Sequence, residues 1–243
     1  MTDFIVYVVV GFIAQLIDGA LGMAFGVTAT SLLLTVGIPP AAASATVHMA
    51  ECVTSGFSGL SHHAFGNINP KLFRALVLPG MLGAAIGAWL LSSFSGEAFR
   101  PIIACYLVVM GIVIIIKAFR QFPPKTVTRF LGPLGLVGGF CDAVGGGGWG
   151  PIVASNLIAR GNAIRFAIGS TNAVEFFVAL SASVTFVLSL GTFDWRIILG
   201  LALGGAFGAP LGAWACKHIP VKPFMILVGC LIIGLSMRTL LLA

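Results

Sequence analysis

The segment LGPLGLVGGFCDAVGGGGWGPIVASNLIA, residues 131–159, interrupts an apolar run with Asp142 and four consecutive glycines. Four glycines inside a helix would cost roughly 1 kcal/mol each relative to alanine, so we expect the helix to end there. A second apolar run, residues 4–35, has the sequence DGALG in its middle, at residues 18–22. As one straight helix this run would span about 48 Å, although the hydrocarbon core of a bilayer is only about 30 Å thick. Each run therefore predicts two half-helices that meet near the membrane centre as a re-entrant hairpin; one long tilted helix with a glycine kink is the alternative.

The composition predicts an all-α polytopic membrane protein. Of the 243 residues, 58% are apolar and 8% are charged, and the mean hydropathy is +1.09. Soluble domains carry about 25% charged residues and disordered chains have low hydrophobicity, so both classes are excluded. Most Lys and Arg residues lie between the apolar runs, where membrane topology explains the net charge of +6, so we expect contact with a lipid bilayer and none with nucleic acid. Apolar runs of about membrane-spanning length recur at residues 4–35, 41–64, 75–95, 101–118, 131–159, 166–190, 196–215 and 223–242.

The chain contains two homologous halves. When the first half is aligned with the second so that Asp18 matches Asp142, its glycine, acidic and other polar residues match identical or similar residues of the second half in the same order. The matched pairs include Gly11 and Gly135, Gly22 and Gly146, Thr46 and Ser170, His48 and Asn172, and Glu51 and Glu175. We predict a first membrane repeat at residues 1–118, a linker at 119–129 and a second repeat at 130–243. Each repeat would have a broken first segment followed by three transmembrane helices.

The positions of Lys and Arg favour an inverted repeat. If both broken segments are hairpins, each half crosses the membrane three times and the halves have opposite orientations. One side then holds Lys71, Arg74, Lys117, Arg120, Lys125, Arg129, Arg160, Arg165, Lys217 and Lys222, and the other holds Arg100, Arg196 and Arg238. If each first segment crosses once, the basic residues divide more evenly, which obeys the positive-inside rule less well. We therefore expect a multi-pass protein of the cell membrane with its linker in the cytoplasm and both termini outside.

Four of the seven acidic residues, Asp18, Glu51, Asp142 and Glu175, lie inside apolar segments. A charge at the centre of a membrane helix costs at least about 2.5–3.5 kcal/mol, so we assign these side chains a function, namely proton coupling. Burial and a nearby anionic substrate both favour the protonated acid, so proton and substrate would bind together. Alternatively, Asp18 and Asp142 accept hydrogen bonds from loose backbone at the breaks, while Glu51 and Glu175 act in transport.

A polar stripe follows one face of the segment at residues 41–64. Its members recur every three or four residues, as Ser44, His48, Glu51, Ser55, Ser58 and His62. Such a stripe in a membrane helix indicates a polar pathway or a hydrogen-bonded helix interface. His48 and Glu51 have the spacing of metal ligands, but the sequence offers no third ligand of that kind, so we predict no metal and no other cofactor. His62 and His63 are expected at the membrane interface.

The glycine-rich breaks have the chemistry of an anion site. Half-helix N-termini carry free N–H groups and the positive end of the helix dipole, and glycine lets a ligand approach the backbone. The predicted substrate-binding residues are Gly22, Thr46, His48, Gly146, Gly147, Ser170, Thr171 and Asn172. Two further series of small residues, Gly83/Gly87 and Gly204/Gly208/Gly212, are expected to pack helices closely against each other.

Several of these motifs resemble the sulfite exporter TauE/SafE family. The resemblance rests on GFIAQLIDG at residues 11–19 and GLVGGFCD at 135–142, each followed by a glycine-rich break, and on STN at 170–172 and GAPLGA at 208–213. It covers essentially the whole chain. The resemblance implies a transporter that moves sulfite or small organosulfonates across the inner membrane of prokaryotes.

The leading hypothesis is a secondary transporter, in the export direction, of small anions such as sulfite or organosulfonates. Its site would lie between the two halves near the membrane midplane. A passive anion channel is the alternative. An intramembrane enzyme that uses His48 and Glu51 is weaker, because no nucleophile elbow accompanies these residues. The identity of the anion and the formation of a homodimer stay open.

Overall fold

The computed structural model describes residues 2–93, 96–119, 129–216, 218 and 221–241. The regular structure in these ranges is helical throughout, and each helix falls on an apolar run of the sequence. The predicted linker lies outside the described residues except at its two ends. The helices are α1 (Thr2–Leu21), α2 (Phe25–Thr35), α3 (Pro40–Ala64), α4 (Pro70–Ser93), α5 (Gly96–Ala118), α6 (Leu131–Gly145), a π-helical turn (Gly150–Ala154), α7 (Ser155–Ala159), α8 (Ile164–Leu190), α9 (Trp195–Ala215) and α10 (Val221–Leu241).

The helices have the length and composition of membrane spans. Within the described ranges, α1, α4, α5, α8 and α9 are long and apolar enough to cross a bilayer. Helix α3 is equally long, at 25 residues, but its polar stripe makes it less hydrophobic. The prediction of an all-α membrane protein is confirmed.

Both long first segments are broken where the sequence predicts. Helix α1 ends at Leu21 and α2 begins at Phe25, and α6 ends at Gly145 before the π-helical turn. The single kinked helix is therefore wrong. The two helices of the first broken segment differ in length, however. Helix α1 has 20 residues and α2 has 11, so α1 is about 30 Å long and is not a half-helix. It keeps this length because it packs along α9, as described below.

The two halves exchange their broken segments. Helix α1 of the first half packs on α9 of the second, and its counterpart α6 packs on α4. The remaining major contacts join α3 to α8 and α5 to α10, which are pairs of equivalent helices, and join α4 to α8 and α3 to α9, which are equivalent to each other. The main contacts of the first half are thus repeated by the second, as two homologous halves require.

Small residues allow this exchange, as the sequence predicts. A Cβ atom at Gly83 would overlap the backbone of Leu136, and one at Gly208 would lie 2.6 Å from the carbonyl oxygen of Phe12. Gly83 and Gly208 are equivalent positions, as are Leu136 and Phe12. Close backbone approach at glycine is the usual way in which membrane helices gain packing contacts. The predicted role of the Gly83/Gly87 and Gly204/Gly208/Gly212 series is confirmed.

The two flanks of the second broken segment lie together. Nη1 of Arg160, which follows α7, donates a hydrogen bond to the carbonyl oxygen of Arg129, just before α6, at 2.9 Å. The chain therefore enters and leaves this segment at neighbouring points.

Candidate functional site

An aspartate bridges each break in the same way. Oδ1 of Asp18 accepts hydrogen bonds from the backbone N–H groups of Ala24 and Phe25, at 2.7 and 3.2 Å. Oδ1 of Asp142 accepts from Gly148 and Trp149, at 2.7 and 2.8 Å. The spacing in sequence is six and seven residues in both cases. The alternative that these two aspartates bind loose backbone at the breaks is confirmed.

These hydrogen bonds occupy backbone groups of the predicted anion site. The first N–H groups of a helix have no partner within the helix and need one from elsewhere. Here the carboxylates of Asp18 and Asp142 supply it. Two backbone N–H groups at each break, in the region that the sequence suggests for an anionic substrate, are therefore bound to the chain's own carboxylates in this structure.

The second oxygen of Asp142 pairs with His48. Oδ2 of Asp142 lies 3.2 Å from Nε2 of His48, and Nδ1 of His48 lies 2.8 Å from the carbonyl oxygen of Ser44. A carbonyl can only accept, so Nδ1 carries a hydrogen. One further proton is then shared between Nε2 and Asp142, as an ion pair or as a neutral imidazole with a carboxylic acid. Both side chains are buried, His48 at 0% and Asp142 at 1% exposure.

The two halves differ at the position of His48. Asn172 replaces His48 in the second half, and its Nδ2 donates to the carbonyl of Ile168, four residues earlier, as His48 does to that of Ser44. Asn172 receives a hydrogen bond from Ser58 at 2.7 Å. Oδ2 of Asp18 is buried and has no partner among the described residues. The shared proton is therefore a feature of one break only.

All six members of the polar stripe on α3 are buried. They face the breaks and α8: Ser44 donates to the carbonyl of Ala143 at 2.6 Å, and the Ser55 hydroxyl lies 3.5 Å from Oε2 of Glu175. His62 is completely buried, and its Nε2 donates to the carbonyl of Gly19 at 3.0 Å. Its expected place at the membrane interface stays a prediction, because burial within the protein does not fix the depth of a side chain in the bilayer; His63, the next residue, is exposed. The stripe is thus an interface between the halves.

Glu51 is the most isolated of the acidic groups. It is 1% exposed, and neither carboxyl oxygen has a hydrogen-bond partner among the described residues. Gly26 lies against it, since a Cβ there would be 2.9 Å from Oε1 of Glu51. Its counterpart Glu175 is also buried and meets Ser55. We call Asp18, His48, Glu51, Asp142 and Glu175 the central cluster.

The space inside the central cluster is small. Asp18, Asp142, Glu175 and Gly147 line a cavity of about 10 Å³. A cavity needs about 10–15 Å³ to hold one water molecule, so the centre has no room for an anion in this structure.

A metal ion is the other ligand to consider at the centre. The ligand atoms of His48, Glu51 and Asp142 lie within 4.8 Å of one another, a spacing that a cation could bridge. The third ligand atom comes from the other half, which the sequence does not reveal. However, the hydrogen bond between His48 and Asp142 already satisfies two of the three atoms. The absence of a metal stays a prediction.

The two breaks pack directly on each other. The Thr30 hydroxyl of α2 donates a hydrogen bond to the carbonyl of Gly146. A Cβ atom at Gly147 would overlap the backbone of Gly26 and Val27. Gly22 has φ = 68° and lies against Ile168 of α8. These glycines therefore sit where breaks and helices touch.

The other predicted site residues lie around the cluster. Ser170 accepts a hydrogen bond from Asn69 N at 2.8 Å, so it fixes the loop between α3 and α4. The Thr171 hydroxyl donates to carbonyls of its own helix, and Thr46 is buried on α3. The hydroxyl groups of Ser170 and Thr171 thus bind groups of the chain itself in this structure. The assignment of Thr46, Ser170, Thr171 and Asn172 to substrate binding stays a prediction.

The predicted substrate-binding residues do not include three side chains with polar atoms, of which two lie at the second break and one on α1. The Tyr106 hydroxyl of α5 lies 3.5 Å from the carbonyl of Gly147. Trp149 is 1% exposed and donates from Nε1 to the carbonyl of Thr171 at 3.1 Å. Gln15 is completely buried, and its amide atoms have no partner within the described part of the chain. A polar group inside an apolar run is the signal that would have identified Tyr106 and Gln15.

The fold and the cluster together define a class of protein. Ionisable side chains buried between two membrane-embedded repeats, beside broken helices, are typical of secondary transporters. The chain belongs to the sulfite exporter TauE/SafE family, whose model matches residues 7–239. The protein is therefore a membrane transporter and not an enzyme.

Its relatives carry names that agree with this class. The chain is 42% identical, over 99% of its length and 83% of the relative's, to the probable membrane transporter protein YtnM of Bacillus subtilis (strain 168). It is 25% identical to a probable membrane transporter protein of Haemophilus influenzae, over 91% of this chain and 92% of the relative. It is 24% identical to the probable membrane transporter protein YjnA of B. subtilis, over 93% and 95%. No solved structure matches the chain significantly.

Proposed function

We propose that this protein is a secondary transporter that exports a small anion, sulfite or an organosulfonate, across the inner membrane together with protons. The observation that carries the proposal is the central cluster, in which four buried carboxyl groups and one imidazole meet between the halves. An anion near four carboxylates would be repelled strongly in a low-dielectric site. Protons taken up by the cluster would remove this repulsion.

Glu51 and Glu175 are the proposed sites of proton uptake. The oxygens of Asp18 and Asp142 accept backbone hydrogen bonds, which stabilise a negative charge. Glu51 has no such donor among the described residues, and Glu175 has only the Ser55 hydroxyl at 3.5 Å. A buried carboxylate without hydrogen-bond donors has a high free energy. Protonation therefore stabilises the two glutamates more than the two aspartates.

A carrier is favoured over a passive channel by the closed centre. A cavity of about 10 Å³ between the breaks offers no continuous pore, so transport requires a rearrangement of the halves. The test is a flux screen in proteoliposomes with sulfite, sulfoacetate and related sulfonates, with and without a pH gradient. Saturable exchange of labelled for unlabelled anion supports the carrier. Conductance far above carrier rates would identify a channel, and the absence of flux for every anion would refute the proposal.

The proposed topology is an inverted repeat with the linker in the cytoplasm and both termini outside. The hydrogen bond between Arg160 and Arg129 supports a re-entrant second segment, because a segment that crossed once would separate these residues. The exchange of α1 and α6 between the halves supports the repeat. Arg120, Lys125 and Lys217, which also enter the charge argument, lie outside the described residues.

Three cysteine substitutions distinguish the two topologies. On a background without native cysteines, Lys71→Cys and Arg165→Cys should be labelled only from the cytoplasm, and Arg196→Cys only from outside. The alternative with single crossings places positions 71 and 196 together and position 165 opposite. Labelling whole cells and inverted vesicles with an impermeant maleimide measures this directly. Accessibility of positions 71 and 196 from one side would refute the inverted repeat.

Proton coupling predicts a specific phenotype for Glu51→Gln. Glutamine mimics the protonated acid and keeps a hydrogen-bonding side chain, so the variant should still bind and exchange anion but lose the pH dependence of net transport. Glu175→Gln should show the same change more weakly, because Ser55 already assists that carboxyl. The measurement is anion flux against imposed pH gradients. Asp194→Asn, at the N-cap of α9, is the control and should respond as the wild type does. An unchanged pH response in Glu51→Gln would make this carboxyl structural.

A further inference from the structure

A second cavity, of about 150 Å³, lies beside the closed centre. It lies where the end of α5 meets the beginnings of α8 and α10. It is much larger than the central space and has room for a small anion. A small anion fits in this cavity without rearrangement of the breaks.

Two lysines line this cavity. Nζ of Lys117, at the end of α5, donates hydrogen bonds to the Ser155 hydroxyl and to the carbonyl of Pro151 at 3.3 Å. Nζ of Lys222, at the start of α10, lies 4.4 Å from the centre of the Phe119 ring. The Lys117 ammonium is therefore held at the cavity by hydrogen bonds, and the exposed Lys222 side chain lies over an aromatic ring beside it.

The inner wall of the cavity borders the central cluster. Met23 of the first break lines both the larger cavity and the central space. It is 3% exposed and belongs to the segment between α1 and α2. An unbranched thioether side chain changes conformation easily, so Met23 can adjust between the two spaces that it lines.

We propose that this cavity is the entry site of the substrate, where Lys117 and Lys222 capture a small oxyanion before it passes Met23 to the central cluster. The proposal rests on the proposed transport function and adds the place and the residues of first binding. Positive charge in a partly desolvated cavity concentrates anions and accelerates their association. In the proposed topology the cavity opens toward the cytoplasm, where an exporter must collect its substrate. The positive-inside rule alone also explains two lysines at this place. The test therefore compares lysines that line the cavity with a lysine on the same side of the membrane but outside the cavity.

The experiment compares lysine variants inside and outside the cavity. Purified protein is reconstituted into proteoliposomes, and sulfite flux is measured against sulfite concentration from the side on which the cavity opens. Lys117→Gln should raise the apparent KM about tenfold, because it removes a charged hydrogen-bond donor from a partly buried place. Lys222→Gln should raise it about threefold, because this lysine is more exposed. The maximal rate should change little. Lys117→Arg should retain most of the affinity, and Lys71→Gln, on the same side but outside the cavity, should match the wild type.

A binding measurement separates this proposal from the proposed function. Sulfite-dependent thermal stabilisation of the detergent-purified protein reports binding without transport. Binding that depends on Lys117 and Lys222 in a protein without flux would refute transport and retain the capture site. Flux with an unchanged KM in both glutamine variants, or an equal rise in Lys71→Gln, would overturn the capture site. If Lys117→Gln fails to fold, Lys222→Gln and Lys117→Arg still decide the question.

Discussion

Gly146→Ala is expected to abolish anion flux and to destabilise the protein much more than Gly66→Ala does. Both glycines have φ = 64°, so alanine costs about 1 kcal/mol of backbone strain at either position. A Cβ at Gly146 would also overlap the side chain of Thr30, whereas no described atom lies within 4 Å of a Cβ at Gly66. Overpacking of this kind costs about 1–3 kcal/mol more. The difference between the two variants therefore isolates the contact between the two breaks.

Thermal unfolding in detergent and flux in proteoliposomes check this prediction together. Thr30 has little freedom to move, because it is 1% exposed and its hydroxyl is bound to the carbonyl of Gly146. Gly66→Ala should keep flux and lose only the strain energy. Equal destabilisation of both variants would mean that the breaks do not depend on each other's packing.

Asp142→Ala should destabilise the protein by about 3–5 kcal/mol, because it breaks a buried pair with His48 and removes the acceptor for two N–H groups. Asp18→Ala should cost only about 1–2 kcal/mol, the usual price of a lost helix cap, because its second oxygen has no partner among the described residues. The two aspartates hold equivalent positions and bind backbone in the same way, so each is the control for the other. Denaturant unfolding of both variants measures the difference.

A double-mutant cycle assigns that difference to the pair. His48→Asn introduces the residue that the second half carries at this position, Asn172. If the pair accounts for the larger effect, Asp142→Ala should cost no more than Asp18→Ala once His48 is asparagine. Asp142→Asn should be intermediate, since its amide oxygen can still accept from Gly148 and Trp149. The same loss for Asp18→Ala and Asp142→Ala in wild-type background would contradict a special role for the His48 contact.

The sequence predicts the membrane class, the helices and the breaks because these depend on local properties. Hydropathy over about twenty residues and runs of glycine act within a few turns, whatever the rest of the chain does. The bridging of each break by its own aspartate is also local, since donor and acceptor are six or seven residues apart. The sequence alone therefore allowed this contact to be proposed, as the alternative to proton coupling by the two aspartates.

Which polar groups meet across the halves depends on tertiary packing. His48 and Asp142 are 94 residues apart, and their contact exists because α3 of one half packs against the broken segment of the other. The burial of His62 has the same origin, since it depends on the position of Gly19 in α1. Composition and local patterns predict the breaks and the acidic groups inside the apolar segments. Which groups share a proton across the halves and where space remains for an anion depend on long-range packing, and no local pattern encodes that.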